Sequence, residues 1–266
     1  MAGTVLLEVV EGVATLSLNR PDALNALSVE MMQDLFEASR ALAARQDVDV
    51  VVITGAGEHF MAGGDLKDFA GKLHLSPDMR LAVFRELIVR YINPTVEVLQ
   101  GLRQPVIAKV RGACAGFGLS LMAGCDLVIC ADNAKFTTAY AAIALSGDGG
   151  ASYFLPRILG RRKAAELLLL GERFDAAEAL RIGLVNRCVE AARLDETVAQ
   201  FVARLQSGPR HAYAEIKRLL ADSSHSGIEA QLQAEAEAFA RCAASADFAE
   251  GVGAFLDKRK PAFRGA

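Results

Sequence analysis

Two glycine-rich turns are the part of this sequence whose residue types and spacing could do chemistry. Gly63 and Gly64 follow a β-rich run at residues 48–54, and a second turn around Gly116 follows the run 105–110. Adjacent glycines let a backbone bend sharply, and a helix that starts after such a bend has N–H groups without intrahelical partners. N–H groups of this kind stabilise developing negative charge. If the two strands are neighbours in one sheet, both turns can present N–H groups at one place; otherwise the glycines serve only the geometry of the turns.

The elements that would position these turns follow from the hydrophobic pattern and its breakers. The apolar runs on either side of Glu11-Gly12 predict a hairpin, Ser28 fits a helix N-cap, and Pro94 should kink or split a long helix that starts at Ser76-Pro77. A third glycine cluster, residues 146–150, opens a further helix towards residue 157. The other predicted strands are 48–54, 105–110, 126–131 and 184–189, and the other predicted helices are 28–45, 119–123, 161–170 and 176–182.

The composition allows one substantial core with a helical appendage. The chain has 266 residues, of which 52% are hydrophobic and 23% charged, enough to bury one main core. From Leu194 onward only helices are predicted, and Pro209 marks the start of a C-terminal helical subdomain. We therefore predict an α/β core at residues 1–205 and a helical subdomain at residues 206–266.

Charge and motif content exclude several classes of function. The formal net charge of −3 gives no electrostatic footprint for nucleic acid, the five cysteines form no CxxC pair, and the four histidines form no HExxH metal motif. We expect neither a metal site nor a nucleic-acid partner. The second glycine turn does not match a dinucleotide fingerprint, because position 121 is Leu, or a nucleophile elbow, because position 122 is Met.

The N-terminus and the apolar segments predict a cytoplasmic protein that does not enter a membrane. The first residues lack a basic region, and Glu8 and Glu11 interrupt their apolar run, unlike a signal peptide. No apolar segment approaches the roughly 20 residues that a membrane helix needs.

Four motifs, in order along the chain, carry a resemblance to a known family. They are LNRPDALNAL at residues 18–27, FMAGGDLK at 60–67, GACAGFGLSLMAGCD at 112–126 and FLDKRKPAF at 255–263. Together they resemble the enoyl-CoA hydratase/isomerase (crotonase) superfamily, with a pattern most similar to Δ3-Δ2-enoyl-CoA isomerases of the phenylacetate-pathway type.

The resemblance implies a fold, a substrate class and an assembly. The fold would be an α/β spiral of repeated ββα units, with C-terminal helices that pack subunits into a homotrimer or a dimer of trimers. The substrate would be an acyl-CoA thioester, with no cofactor because coenzyme A is part of the substrate. The thioester oxygen would accept hydrogen bonds from the backbone N–H groups of Gly64 and Phe117. The Phe117 side chain could either line the acyl pocket or pack in the core.

Further family positions would bind the coenzyme A moiety. For Lys67 and Lys258, a solvated basic face is the alternative interpretation. The residues that match these family positions are Ala23, Leu24, Ala62, Asp65, Leu66, Lys67, Lys258 and Phe263.

The acidic residues present at the family's catalytic positions decide which reaction is expected. The two glutamates of the family's hydratases fall on Ser120 and Tyr140, so addition of water is disfavoured, and these two residues would contact substrate or fill the pocket. Asp148 matches the position of the single acid in several isomerases, where a carboxylate can move a proton between C2 and C4. The alternative for Asp148 is a cap on the helix that follows. An enoyl-CoA isomerase is the favoured hypothesis; a hydratase or other crotonase reaction and a non-catalytic acyl-CoA-binding oligomer remain open.

Overall fold

The computed structural model describes residues 3–265, in which strands and helices are interspersed up to residue 189 and only helices follow. The strands are β1 (Val5–Val10), β2 (Val13–Leu18), β3 (Val50–Gly55), β4 (Val106–Val110), β5 (Ala113–Ala115), β6 (Leu127–Ala131), β7 (Lys135–Thr137), β8 (Phe174–Asp175) and β9 (Arg187–Val189). The helices are α1 (Val29–Ala43), α2 (Leu66–Ala70), α3 (Pro77–Leu87), α4 (Asn93–Gln100), α5 (Phe117–Ala123), α6 (Ala151–Leu170), α7 (Ala176–Arg181), α8 (Leu194–Gln206), α9 (Arg210–Ser223), α10 (Ile228–Ala243) and α11 (Ala246–Leu256).

The larger of two sheets brings the two glycine turns to one edge. Its six strands lie in the order β1-β2-β3-β4-β6-β9, with β1 antiparallel to β2 and the other neighbours parallel. Strands β3 and β4 pair directly, with Val51 opposite Val106 and Thr54 opposite Lys109. Because both strands run in the same direction, the turns that follow them leave the sheet at the same edge. The neighbouring strands on which the sequence interpretation depended are therefore present.

A smaller sheet of β5, β7 and β8 explains the repeated units. Strand β4 of the large sheet continues into β5 of the small sheet and then into α5, and β6 continues into β7 and, after a loop, into α6. The predicted α/β class with ββα units is confirmed. The short strands β5, β7 and β8 were not predicted, because two or three residues carry too little periodicity to identify a strand.

Helix boundaries follow the capping residues of the sequence. The Ser28 and Ser76 hydroxyls accept hydrogen bonds from Met31 N and Met79 N at the starts of α1 and α3. Pro94 does not end its helix: the chain passes from α3 through a wider π-type turn at Ile88–Ile92 into α4. Gly160, with φ of 75°, divides α6 into the two helical stretches that the sequence predicted. The last strand of the sheet is shorter than predicted and begins only at residue 187.

Apolar side chains cover both faces of the large sheet. Alternate residues of β3 point to opposite faces, as the period of a strand requires: Val51 and Ile53 join the main core, whereas Val50 and Val52 join a second cluster against α8. Both faces of β3 are buried, which is typical of a central parallel strand. The sheet is therefore a rigid support for the turns at its edge.

The helices beyond α8 carry apolar side chains that this single chain leaves exposed. Lys217 of α9 pairs with Asp126 at 2.6 Å and ties that helix to the core. None of the helices within residues 3–265 combines the length and apolar character needed to cross a membrane. The division at residue 206 and the trimeric assembly stay predictions. The most exposed apolar side chains on these helices are those of Leu220, Ile228, Leu232, Phe239, Phe255 and Leu256.

Candidate active site

The first glycine bend, residues 62–65, is held by backbone hydrogen bonds to the segment that precedes α1. Ala62 N donates to Leu24 O at 3.0 Å, Leu27 N donates to Gly63 O at 2.8 Å, and Asp65 N donates to Leu27 O at 3.0 Å. The N–H of Gly64 takes part in none of these three bonds. The geometry of the bend is therefore fixed by residues about forty positions earlier in the chain.

Asn25 is the structural centre of that segment and is not among the site residues predicted from the sequence. Its side chain is fully buried, and its oxygen accepts from Arg20 N at 2.8 Å. Its amide nitrogen donates to Ala56 O at 3.0 Å and to His59 O at 2.7 Å. Asn25 has a φ of 55°, and Asn is among the few residue types enriched in this left-handed region. A single Asn within the otherwise apolar run at residues 23–27 was the signal that could have identified it.

The second bend, around Gly116, lies directly against the first. Met61 N donates to Ala113 O at 3.0 Å and Ala115 N donates to Met61 O at 2.8 Å, so the chains that enter both bends are paired. Gly116 has φ 50° and ψ −125°, and a Cβ at this position would lie 3.2 Å from the Gly63 Cα. Both contact and conformation require glycine here.

The N–H groups of Gly64 and Phe117 have no acceptor among residues 3–265. Phe117 is the first residue of α5, so its N–H cannot be satisfied within the helix. Both residues line the same cavity. Each bend thus contributes one residue with such an N–H group to the cavity lining. The Phe117 ring itself is buried and packs against Gly149; a Cβ added at Gly149 would lie only 2.6 Å from the ring.

The cavity has a volume of about 240 Å³ and mostly apolar walls. Its walls come from both bends, from α1 and α2, and from the loop that joins β7 to α6. Its apolar side chains suit an uncharged acyl group. The lining residues are Leu27, Met32, Ala62, Gly63, Gly64, Leu66, Phe69, Gly116, Phe117, Thr138, Ala139, Tyr140, Ala142, Ile143, Leu145 and Asp148.

Asp148 stands on the cavity wall in a chain of three polar side chains. The Tyr140 hydroxyl donates to Asp148 Oδ1 at 2.8 Å, and the Ser120 hydroxyl lies 2.9 Å from Tyr140 Oη. The carboxylate does not cap α6, because Gly150 occupies the N-cap position and no side chain bonds there. Tyr140 lines the cavity, whereas Ser120, the other predicted substrate contact, is fully buried and is not one of the lining residues.

Burial raises the pKa of Asp148, and the hydrogen bond from Tyr140, which favours the ionised form, offsets only part of that effect. Burial and the neighbouring Asp148 charge also raise the pKa of Tyr140 above its usual range. Tyr140 therefore keeps its proton at neutral pH. Its hydroxyl is therefore available to donate the hydrogen bond to Asp148 Oδ1.

Because ionised Asp148 is disfavoured by its surroundings, we expect Asp148→Asn to stabilise the fold at neutral pH. A carboxyl whose pKa is higher in the folded state binds more protons there, so stability falls as the pH rises above the unfolded value of about 3.9. Asn is neutral throughout, and we expect a Tm about 1–3 °C above wild type at pH 7. The difference should shrink as the pH approaches 4 in thermal unfolding followed by circular dichroism. A lower Tm at pH 7 would show that ionised Asp148 stabilises the fold.

The carboxylate of Asp65, a residue that the family resemblance placed at the substrate, is bonded within the protein. Its carboxylate caps α2 by accepting from Lys67 N at 2.9 Å, and it pairs with Arg20 at 2.9 Å. Burial alone would raise the pKa of Asp65, but the bonds from Arg20 and Lys67 N outweigh it and lower the pKa. The side chain is thus fully engaged beneath the bend.

The remaining predicted binding residues lie in three places. Ala62 and Leu66 line the cavity, while Ala23 and Leu24 flank the first bend and Lys67 is exposed beside it. Lys258 and Phe263 do not line the cavity. Phe263 packs near Gly251 of α11, and a Cβ added at Gly251 would lie 3.3 Å from its ring.

Comparison with known proteins gives matches along nearly the whole chain. A family model described as enoyl-CoA hydratase/isomerase matches residues 8–266. The 1,2-epoxyphenylacetyl-CoA isomerase of Escherichia coli (strain K12) is 36% identical over 262 residues, which cover 98% of this chain and 98% of that protein. A Rhodobacter capsulatus protein assigned as an enoyl-CoA hydratase is 36% identical over 263 residues, again 98% of each chain. A crystal structure from Mycobacterium abscessus, assigned as an enoyl-CoA hydratase/isomerase, has a TM-score of 0.92 at 36% identity and covers 98% of this chain and 100% of that one.

Proposed function

The chain belongs to the enoyl-CoA hydratase/isomerase family, and we propose that within it the protein is an isomerase that shifts a double bond of an acyl-CoA thioester. One observation carries this choice. Among the described residues, Asp148 is the one carboxylate that lines the cavity into which both bends open. Its polar neighbours, Ser120 and Tyr140, are neutral hydroxyls. The site thus offers one base, which is sufficient for moving a single proton.

The proton transfer proceeds through an enolate. Ionised Asp148 takes a proton from C2 of a 3-enoyl thioester, and the electrons of that C–H bond form a C1–C2 double bond while negative charge moves to the thioester oxygen. The carboxylic acid then returns the proton to C4, the C3–C4 double bond shifts to C2–C3, and the thioester carbonyl is restored. Every proton and electron pair is accounted for without another reagent. The raised pKa of Asp148 makes it a stronger base than an ordinary aspartate.

The backbone bends stabilise the intermediate. The thioester oxygen, as it gains negative charge, would accept hydrogen bonds from the N–H groups of Gly64 and Phe117. Neither N–H group has an acceptor among residues 3–265. In other enzymes one such donor contributes about 3–4 kcal/mol to transition-state stabilisation. Because the donors belong to rigid bends at the sheet edge, they need little reorganisation during the reaction.

The cavity and the relatives support an acyl-CoA thioester with an apolar acyl group as the substrate. The apolar lining fits an acyl group without charged substituents, and the name of the E. coli relative specifies an acyl group derived from a ring. Ala23, Leu24, Ala62 and Lys67, beside the first bend, remain the proposed contacts of the coenzyme A moiety. The contacts of Lys258 and Phe263 with coenzyme A, and a homotrimeric assembly, are proposals that depend on the family alone.

Double-bond migration should be the main reaction of the purified protein. We expect 3-hexenoyl-CoA to be converted into 2-hexenoyl-CoA without change of mass, while 2-hexenoyl-CoA gains the mass of one water much more slowly. Liquid chromatography with mass spectrometry measures both reactions. Faster hydration would overturn the proposal in favour of a hydratase, and tight binding of both thioesters without turnover would indicate a non-catalytic acyl-CoA-binding protein.

A further inference from the structure

The chain of Ser120, Tyr140 and Asp148 has a defined direction of hydrogen bonding. Tyr140 gives its single hydroxyl proton to Asp148 Oδ1 at 2.8 Å. The contact of 2.9 Å between Tyr140 Oη and Ser120 Oγ therefore has Ser120 as the donor. The other potential acceptor of the Ser120 hydroxyl, Gly116 O, is 3.4 Å away, which is a long distance for such a bond.

This arrangement makes the two oxygens of Asp148 different. Oδ1 is occupied by Tyr140, whereas among the described residues no other side chain donates to this carboxylate. Tyr140 and Asp148 both line the cavity, and Ser120 is fully buried behind them. We propose that Tyr140 is a positioning residue that holds Asp148 so that Oδ2 alone accepts and returns the substrate proton, and that Ser120 orients Tyr140 for this task. The inference depends on the proposed isomerase function, whose base is Asp148.

Packing around the chain supports a fixed geometry. Gly149, with φ of 57°, follows Asp148, and a Cβ there would lie 2.6 Å from the Phe117 ring and 3.2 Å from the Ser120 Cβ. The backbone beside Asp148 is thus pressed against the helix that begins at Phe117. Since Phe117 supplies one of the proposed donors to the thioester oxygen, the base and that donor are placed by the same contact. The hydrogen bond from Tyr140 then fixes the rotation of the carboxylate.

Tyr140 should also affect the basicity of the Asp148 carboxylate. A hydrogen bond to an ionised carboxylate favours the charged form, so its removal raises the pKa of the acid. Asp148 acts as a base only when it is ionised, and a higher pKa therefore moves the loss of activity at low pH to higher pH. A side chain that merely fills space would not affect this titration.

The test is a titration of Asp148 combined with kinetics of Tyr140→Phe, Ser120→Ala and the double variant. We expect Tyr140→Phe to raise the pKa of Asp148, measured by carbon-13 NMR of labelled aspartate, and to lower kcat about 10- to 100-fold with little change in KM. Ser120→Ala should change both quantities in the same direction by less. The double variant should match Tyr140→Phe, because Ser120 acts through Tyr140. Tyr91→Phe is the matched control, since its hydroxyl bonds Gln33 on an exposed surface.

Two results would overturn the proposal. One is an unchanged Asp148 titration in folded Tyr140→Phe, and the other is a double variant whose loss equals the sum of the two single losses in free energy. If Tyr140→Phe does not fold, 3-fluorotyrosine at position 140 replaces it: as a more acidic donor it should lower the pKa of Asp148, and no shift would contradict the proposal. The titration needs no turnover, so it decides the role of Tyr140 even if the protein proves not to be an isomerase.

Discussion

Asp148→Asn should lower kcat for double-bond migration by about 10³-fold, within the range that general acid–base groups contribute, while binding of the acyl-CoA changes little. The amide of Asn can still accept a hydrogen bond from Tyr140, so the cavity should keep its shape. What is lost is the ability to take a proton from C2 and return it to C4. Steady-state kinetics with 3-hexenoyl-CoA, together with the dissociation constant of a saturated acyl-CoA, separates the two effects.

The matched control for this prediction is Asp222→Asn. Asp222 is an exposed acid that pairs with Arg218 at 3.2 Å on α9, so its loss should leave kcat unchanged. Retention of most of the isomerase activity in Asp148→Asn would show that another group takes the proton. Equal loss of activity and of binding would instead indicate that Asp148 shapes the cavity.

Gly116→Ala should lower kcat about 10²- to 10³-fold by misplacing one of the two donors to the thioester oxygen. A Cβ 3.2 Å from the Gly63 Cα pushes the bends apart. Alanine also does not tolerate φ 50° with ψ −125°, so the peptide that joins residues 116 and 117 must rotate. That rotation turns Phe117 N–H away from its present direction. The infrared carbonyl frequency of a bound thioester reports the hydrogen bonds directly and should move towards its value in an apolar solvent.

Gly227→Ala provides the control for the same change of side chain. Gly227 has φ −71°, and nothing lies within 4 Å of a Cβ there, so activity should be unchanged. Folding of both variants is checked by circular dichroism. An unshifted carbonyl frequency with full activity in folded Gly116→Ala would exclude Phe117 N–H as a donor to the substrate.

Local signals in the sequence determined most of the secondary structure and the location of the bends. Ser28 and Ser76 are followed by helices because a hydroxyl at that place satisfies an N–H within three residues, a contact that needs no distant partner. The apolar runs of β3 and β4 are strands because residues buried on both faces leave a continuous hydrophobic pattern. Gly63 and Gly116 have φ of 96° and 50°, a conformation that favours glycine. Glycines that follow a predicted strand therefore marked the two bends in the sequence.

Tertiary structure alone decided how side chains from distant segments are paired. For Asp148 the sequence left two roles open, the group that moves a proton and a cap on the helix that follows. The carboxylate does not cap that helix and instead accepts a hydrogen bond from Tyr140, because the loop after β7 places the Tyr140 hydroxyl 2.8 Å from Asp148 Oδ1. The Asp65 carboxylate bonds Arg20, and the Asn25 side chain holds the bend from within the core. Several of these partners are tens of residues apart in the chain, as in the bond from Asn25 to His59 O. A hydrogen bond between distant residues produces no periodic pattern in the sequence, so the sequence does not predict it.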